Sequence, residues 1–150
     1  MNINGTVIDA KVEAFLLSVP RYKLLVLTTE SFGYVDGSVD VGRELSMAIS
    51  AFDRNNEIEF QFAVQRSIRE IVNAGICRDE KFGKYVILAN PGILFEPDLH
   101  LDVCELLKSF SKNMLVFLAW PGVVRQDRLC FLSEMSDLSI NQSDINYAIL

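Results

Sequence analysis

Apolar residues recur along this chain at two spacings, and the switch between them maps its elements. Ile8, Val12, Phe15, Leu16 and Val19 share one face at helical spacing, and Pro20 predicts that helix's end. Lys23 to Thr29, KLLVLTT, is a continuous apolar run of strand length, the pattern of a strand buried on both faces of a parallel sheet. The glycine-broken stretch that follows predicts a short strand at Gly33 to Asp36. Val41, Leu45, Ala48, Ile49 and Phe52 then define a second helix, ended by Arg54, Asn55 and Asn56. Phe60, Val64, Ile68, Ile71 and Val72 define a third, with Gly75 as its stop.

Past a charged turn, DEKFGK, the run Tyr85 to Ala89 predicts the central strand. The next helix is expected to begin near Glu96 or Asp98, with Leu99, Val103, Leu106, Leu107 and Phe110 on its buried face. Met114 to Ala119 reads as another buried strand and Arg128 to Leu132 as a last one. The tail from Ser133 is polar until Tyr147-Ala-Ile-Leu, an apolar end that docks on the body or on a partner. Strands alternating with helices predict an α/β fold, a three-layer parallel sheet with flanking helices and right-handed crossovers. With no linker, repeat or low-complexity segment, residues 1–150 read as a single domain.

Composition narrows the function classes. Half of the 150 residues are apolar and 23% are charged, so the chain is globular, and no apolar run approaches the roughly 20 residues of a membrane span. The first residues lack the basic region of a signal peptide, which predicts a cytoplasmic protein. Cys77, Cys104 and Cys130 form no CxxC pair and read as reduced, buried thiols. A single histidine, His100, cannot build a His-rich metal site, and G-x-S-x-G is absent. A formal charge of −6, with basic residues scattered along the chain, argues against direct nucleic-acid binding.

In a parallel sheet ligands bind at the carboxyl ends of the strands, here the loops after Thr29, Ala89 and Trp120. A phosphate loop, G-x-x-x-x-G-K-[ST], does not fit TESFG after Thr29. Gly37 to Glu44, GSVDVGRE, has the glycine spacing, but Arg43 replaces the lysine, Glu44 replaces the hydroxyl and Asp40 would repel phosphate. A turn capping the helix at Val41 is the simpler expectation. After Ala89, where a hydrolase needs acids for magnesium and water, the chain has Asn90, Pro91 and Gly92, first of all a turn.

The segment Ile87 to Gly122 resembles a known family. Ile93-Leu-Phe-Glu-Pro-Asp-Leu99, Ser111-Lys-Asn113 and Trp120-Pro-Gly122 look like the corresponding motifs of BrxF, the small P-loop protein of type 3 bacteriophage exclusion (BREX) systems, and BrxB is more distantly similar. Tyr34 to Leu45 is weakly similar to the family's strand and helix after the phosphate loop, while the first 80 residues match loosely. The departures fall on the functional positions: Ala89 stands for the Walker B acid, Gly92 for the following acid, and the lysine-bearing loop is missing between Thr29 and Gly33. The resemblance therefore implies a degenerate P-loop NTPase-like scaffold in antiphage defence, a pseudo-ATPase without cofactor.

Other features carry a sharp and a plain reading. Asp98 and Asp102, four apart with Glu96 upstream, offer a divalent-metal site or ordinary acids at a helix start. Ser111, Lys112 and Asn113 sense a γ-phosphate or end a helix. Trp120 is a partner contact or a core wedge. Two functions follow. The first is a non-catalytic interaction subunit that assembles with larger defence proteins, and with itself, through Trp120, Tyr147, Ile149 and Leu150. The alternative is a nucleotide-binding protein or ATPase with a rearranged phosphate site at Glu30, Arg43, Asn90 and Lys112.

Overall fold

The computed structural model describes residues 6–28, 37–130 and 139–150, with side chains from Ile8 onward. Helix α1 (Thr6–Leu17) leads into strand β1 (Leu24–Leu27). Strand β2 (Val39–Asp40) opens directly into α2 (Val41–Ile49), followed by α3 (Glu57–Ala74). A hairpin of β3 (Cys77–Asp79) and β4 (Gly83–Ala89) comes next, then two 3-10 turns (Pro91–Phe95 and Pro97–Leu99) and α4 (Val103–Ser111). The chain closes with β5 (Leu115–Ala119), β6 (Val123–Val124), β7 (Arg128–Cys130), β8 (Ser139–Asn141) and β9 (Ala148–Ile149).

The main sheet has the order β2-β4-β5-β1-β9, all parallel, with β3 antiparallel on β4. Its central strands are apolar on both sides because both sides are buried. Leu24 and Val26 of β1, Val86 and Leu88 of β4, and Val116 and Leu118 of β5 face α2, α3 and α4. The alternate residues, Leu25 and Leu27, Tyr85 and Ile87, Leu115 and Phe117, form a second core with Ile8 and Val12 of α1. The protein is thus α/β with a mostly parallel sheet between helical layers, and among its described residues no helix is long and apolar enough to cross a membrane.

The two layers have different origins. The chain passes from β2 through α2 and α3 to β4, and from β4 through α4 to β5, so one layer is made of crossovers. The opposite face is covered by α1, which precedes the sheet.

Several boundaries differ from the sequence-based expectation. The helix expected from Glu96 begins at Val103, because Pro91 and Pro97 each open a 3-10 turn and His100 adopts a left-handed conformation (φ 51°). Asp102 caps α4 by accepting from the Glu105 amide at 3.1 Å, while Asp98 lies in the preceding turn. The two acids therefore share no helical face. Asn56 caps the start of α3, rather than ending α2, by accepting from the Glu59 amide at 3.2 Å. Gly75 does end α3, and a side chain there would strike Val39.

Two further differences concern strands. Strand β3 was not expected; Asp79 organises its turn by accepting from the Lys81 and Phe82 amides at 2.8 and 3.0 Å. The strand expected at Arg128 to Leu132 does not join the parallel sheet. Its residues Arg128 to Cys130 form β7, the centre of a small antiparallel sheet with β6 and β8. The strand expected at Gly33 to Asp36 lies outside the described residues.

Candidate functional site

The carboxyl ends of β2, β4, β5 and β1 meet in one region, where this class of sheet holds its ligands. At the β2 side Asp40 ends its strand and caps α2, its Oδ1 accepting from the Arg43 amide at 3.0 Å. The same oxygen accepts from the Asn90 side-chain amide at 2.9 Å, which ties the ends of β2 and β4 together. The Arg43 amide, then the Asn90 amide, holds the Asp40 carboxyl below the ordinary carboxylate range. Asn90 is left-handed (φ 53°), as suits the turn that Asn-Pro-Gly predicted.

This junction depends on a missing side chain. A Cβ on Gly42 would lie 2.3 Å from Asn90 Nδ2 and 2.9 Å from its Cγ. We expect Gly42→Ala to push the Asn90 amide off Asp40 and so break the tie between the ends of β2 and β4. The Asp40 carboxyl, titrated by NMR, should then rise toward the ordinary value. Because its folded pKa is depressed, its contribution to stability is present above the unfolded pKa and lost as pH falls through the folded one. An Asp40 titration identical in both proteins would refute this linkage.

Beside the junction lies an open cavity of about 580 Å³, lined by Gly42, Ser46, Arg54, Asn90, Glu96 and Asp98 among others. Two carboxylates against one guanidinium make it a poor receptacle for phosphates. Arg54 is moreover drawn over the Phe60 ring, 4.9 Å from its centroid.

The topological switch falls between β1 and β5. From β1 the chain goes to β2 at one edge, and from β5 it goes past β1 to β9 at the other. Trp120 sits at that point, its backbone amide donating to the Leu27 carbonyl at 3.0 Å. Its ring is 3% exposed, meets Phe95 edge-on at 5.7 Å, and donates through Nε1 to the Cys130 carbonyl at 2.9 Å. Leu129 and Ile140 of the small sheet join the same core, so that sheet helps to bury the indole.

The tail is also built in. Strand β9 pairs with β1, and the Leu150 amide donates to the Val26 carbonyl at 2.9 Å. Gln142 clamps Tyr147, accepting from its amide at 2.7 Å and donating to its carbonyl at 3.0 Å. The Tyr147 hydroxyl donates to the Arg125 carbonyl at 3.0 Å, and burial pushes its pKa up to about 12. Trp120, Tyr147 and Leu150 are therefore interior groups of this chain and offer no open docking surface; of the four, Ile149 alone is exposed.

The alternative phosphate site is not assembled. Arg43 and Asn90 meet through Asp40, but Lys112 follows α4 and precedes β5, at the amino ends of the strands. The run from Tyr85 to Asn90 alone puts roughly 16 Å between the two ends, at about 3.3 Å per residue. Ser111 completes its own helix, donating to the Leu107 carbonyl at 2.6 Å, so its turn is no sensor beside the carboxyl ends. Glu30 lies outside the described residues. The Gln142 clamp was invisible in the sequence, since its partner backbone is chosen by the fold; the Asp40 cap had a local signal in the acid just before Val41.

The chain matches no family profile, and no curated protein or solved structure is similar to it.

Proposed function

We propose that this protein is a non-catalytic interaction subunit of a prokaryotic antiphage defence assembly, built on a degenerate P-loop-like α/β domain. One observation carries the non-catalytic half of the reading: Trp120 fills the topological switch point where a ligand would lie. Two others support it. Asn90, at the end of the strand that would carry the acids, is engaged with Asp40, and the adjoining cavity is acidic. The defence setting rests on the resemblance of Ile93 to Leu99 and Trp120 to Gly122 to BrxF.

The parallel order β4-β5-β1 is compatible with a P-loop-like sheet.

Purification from a native host at physiological salt, followed by mass spectrometry and calorimetry with ATP and magnesium, tests the reading. The expected result is a stoichiometric protein partner and no heat of nucleotide binding. Micromolar ATP binding abolished by Arg43→Ala would overturn the scaffold role in favour of a rearranged nucleotide site.

A further inference from the structure

The basic residues scattered in the sequence are gathered by the fold. Helices of the crossover layer run opposite to the strands, so the amino ends of the strands are also where α3 and α4 finish. Lys23 directly precedes β1, Lys84 is the second residue of β4, and Lys112 follows α4 just ahead of β5. Lys23 is fastened to the end of α4 through its amide, which donates to the Ser111 carbonyl at 2.8 Å. Arg21 and Lys108 both lie over the Tyr22 ring, 5.4 and 5.9 Å from its centroid. Arg69, late in α3, donates to Ser109 Oγ at 3.2 Å and stacks toward Phe110.

Helix dipoles account for part of this. Each helix C-terminus carries about half a negative charge, which favours cations nearby. Six side-chain cations at this end, with Arg78 and Lys81 of the β3–β4 hairpin, set against the carboxylates of Glu105, Asp79, Glu80 and the Lys81 partner Glu13, exceed what two or three helix ends neutralise. Among the described residues Lys108 is paired with Glu105, whereas Arg69, Lys84 and Lys112 form no ion pair with a carboxylate.

Within this region is a cavity of about 290 Å³ whose polar lining is Arg69, Lys84, Asn73, Asn113 and Ser109, and whose walls include Phe110 and Met114. It contains no carboxylate, unlike the cavity at the carboxyl ends with Glu96 and Asp98, or the one beside β2 with Asp40, Glu44 and Glu70. Every ionised group facing it is a cation, the amides and hydroxyl can donate, and the guanidinium is already oriented by Ser109 and Phe110. Lys112, next to Asn113 at its rim, adds further positive charge, which suits a dianion better than a single carboxylate.

We propose that this cavity binds a phosphate group, with Arg69 and Lys84 as its charged ligands and Lys112 and Lys108 receiving neighbouring phosphates. The shared chemistry is that of free polyphosphate and of a nucleic-acid backbone. The site is independent of the carboxyl-end scaffold reading, since it lies at the other end of the sheet.

Calorimetry with inorganic tripolyphosphate and fluorescence anisotropy with a labelled thymidine oligonucleotide, both at low salt, test it on the whole chain. Lys84→Gln and Arg69→Gln should each weaken binding by about tenfold, the scale of a lost charge-assisted hydrogen bond. Arg43→Gln, at the opposite end, should leave it unchanged. Lys84 is exposed, so its variant keeps the fold even if Arg69→Gln does not. Tripolyphosphate binding with this pattern identifies a free phosphate ligand. Oligonucleotide binding alone, with a log–log salt slope reduced by about 0.7 per lost contact, identifies the polymer. Failure of both probes to bind, or equal weakening by Arg43→Gln, overturns the proposal.

Discussion

Trp120→Ala is expected to lower the unfolding free energy by about 3–5 kcal/mol, the usual cost of emptying a buried aromatic site. The indole touches Phe95, satisfies the Cys130 carbonyl and lies under the small sheet, so its loss opens a cavity and leaves an acceptor without its donor. Trp120→Phe keeps an aromatic ring near Phe95 but not the Nε1 donor, and is expected to cost about 1–2 kcal/mol. Urea unfolding followed by circular dichroism measures both. Trp120 is also the single tryptophan, so its emission in the wild type should be that of a buried indole and should move to the red on unfolding. A loss below about 1 kcal/mol for Trp120→Ala would mean that the ring is not the plug we describe.

Deletion of Tyr147 to Leu150 has the second large effect. It removes two buried side chains, Tyr147 and Leu150, each worth about 1.5–3 kcal/mol, together with the pairing of β9 on β1. A loss of about 3–6 kcal/mol is therefore expected, a large share of the 5–15 kcal/mol that holds an ordinary domain together. Hydrogen exchange at the β1 amides should accelerate along with it, because the deletion bares that edge. Of the two dockings its apolar end allowed, on the body or on a partner, the tail takes the first. An unfolding midpoint unchanged by the deletion would restore the tail as a separate docking segment.

Surfaces for the proposed interaction role then lie elsewhere. Phe62 and Ile58, one turn apart on α3, are both more than three-fifths exposed, as is Val19 in its left-handed turn after α1. The sequence placed Val19 on the apolar face of the first helix, but α1 ends at Leu17 and leaves Val19 outside; Ile58 and Phe62 did not stand out, because a helix of mixed apolar and polar residues does not announce which apolar side chains remain exposed.

The sequence by itself determined the elements that depend on neighbours a few positions away. Strands β1, β4 and β5 were legible as continuous apolar runs, α2 and α3 as periodic ones, and Asn-Pro-Gly as a turn, since each pattern reflects local backbone geometry and burial on one face or two. It also determined that no acid ends β4. Tertiary structure decided what depends on residues far apart in the chain: which face of the sheet α1 packs on, that Trp120 and the tail lie inside, and that Lys112 stands far from Asn90. It decided the charge pattern as well. Lysines and arginines dispersed through a chain of net charge −6 come together because parallel strands share one amino end and the crossover helices finish there. Spacing along a sequence carries no information about such a meeting; the order of the strands does.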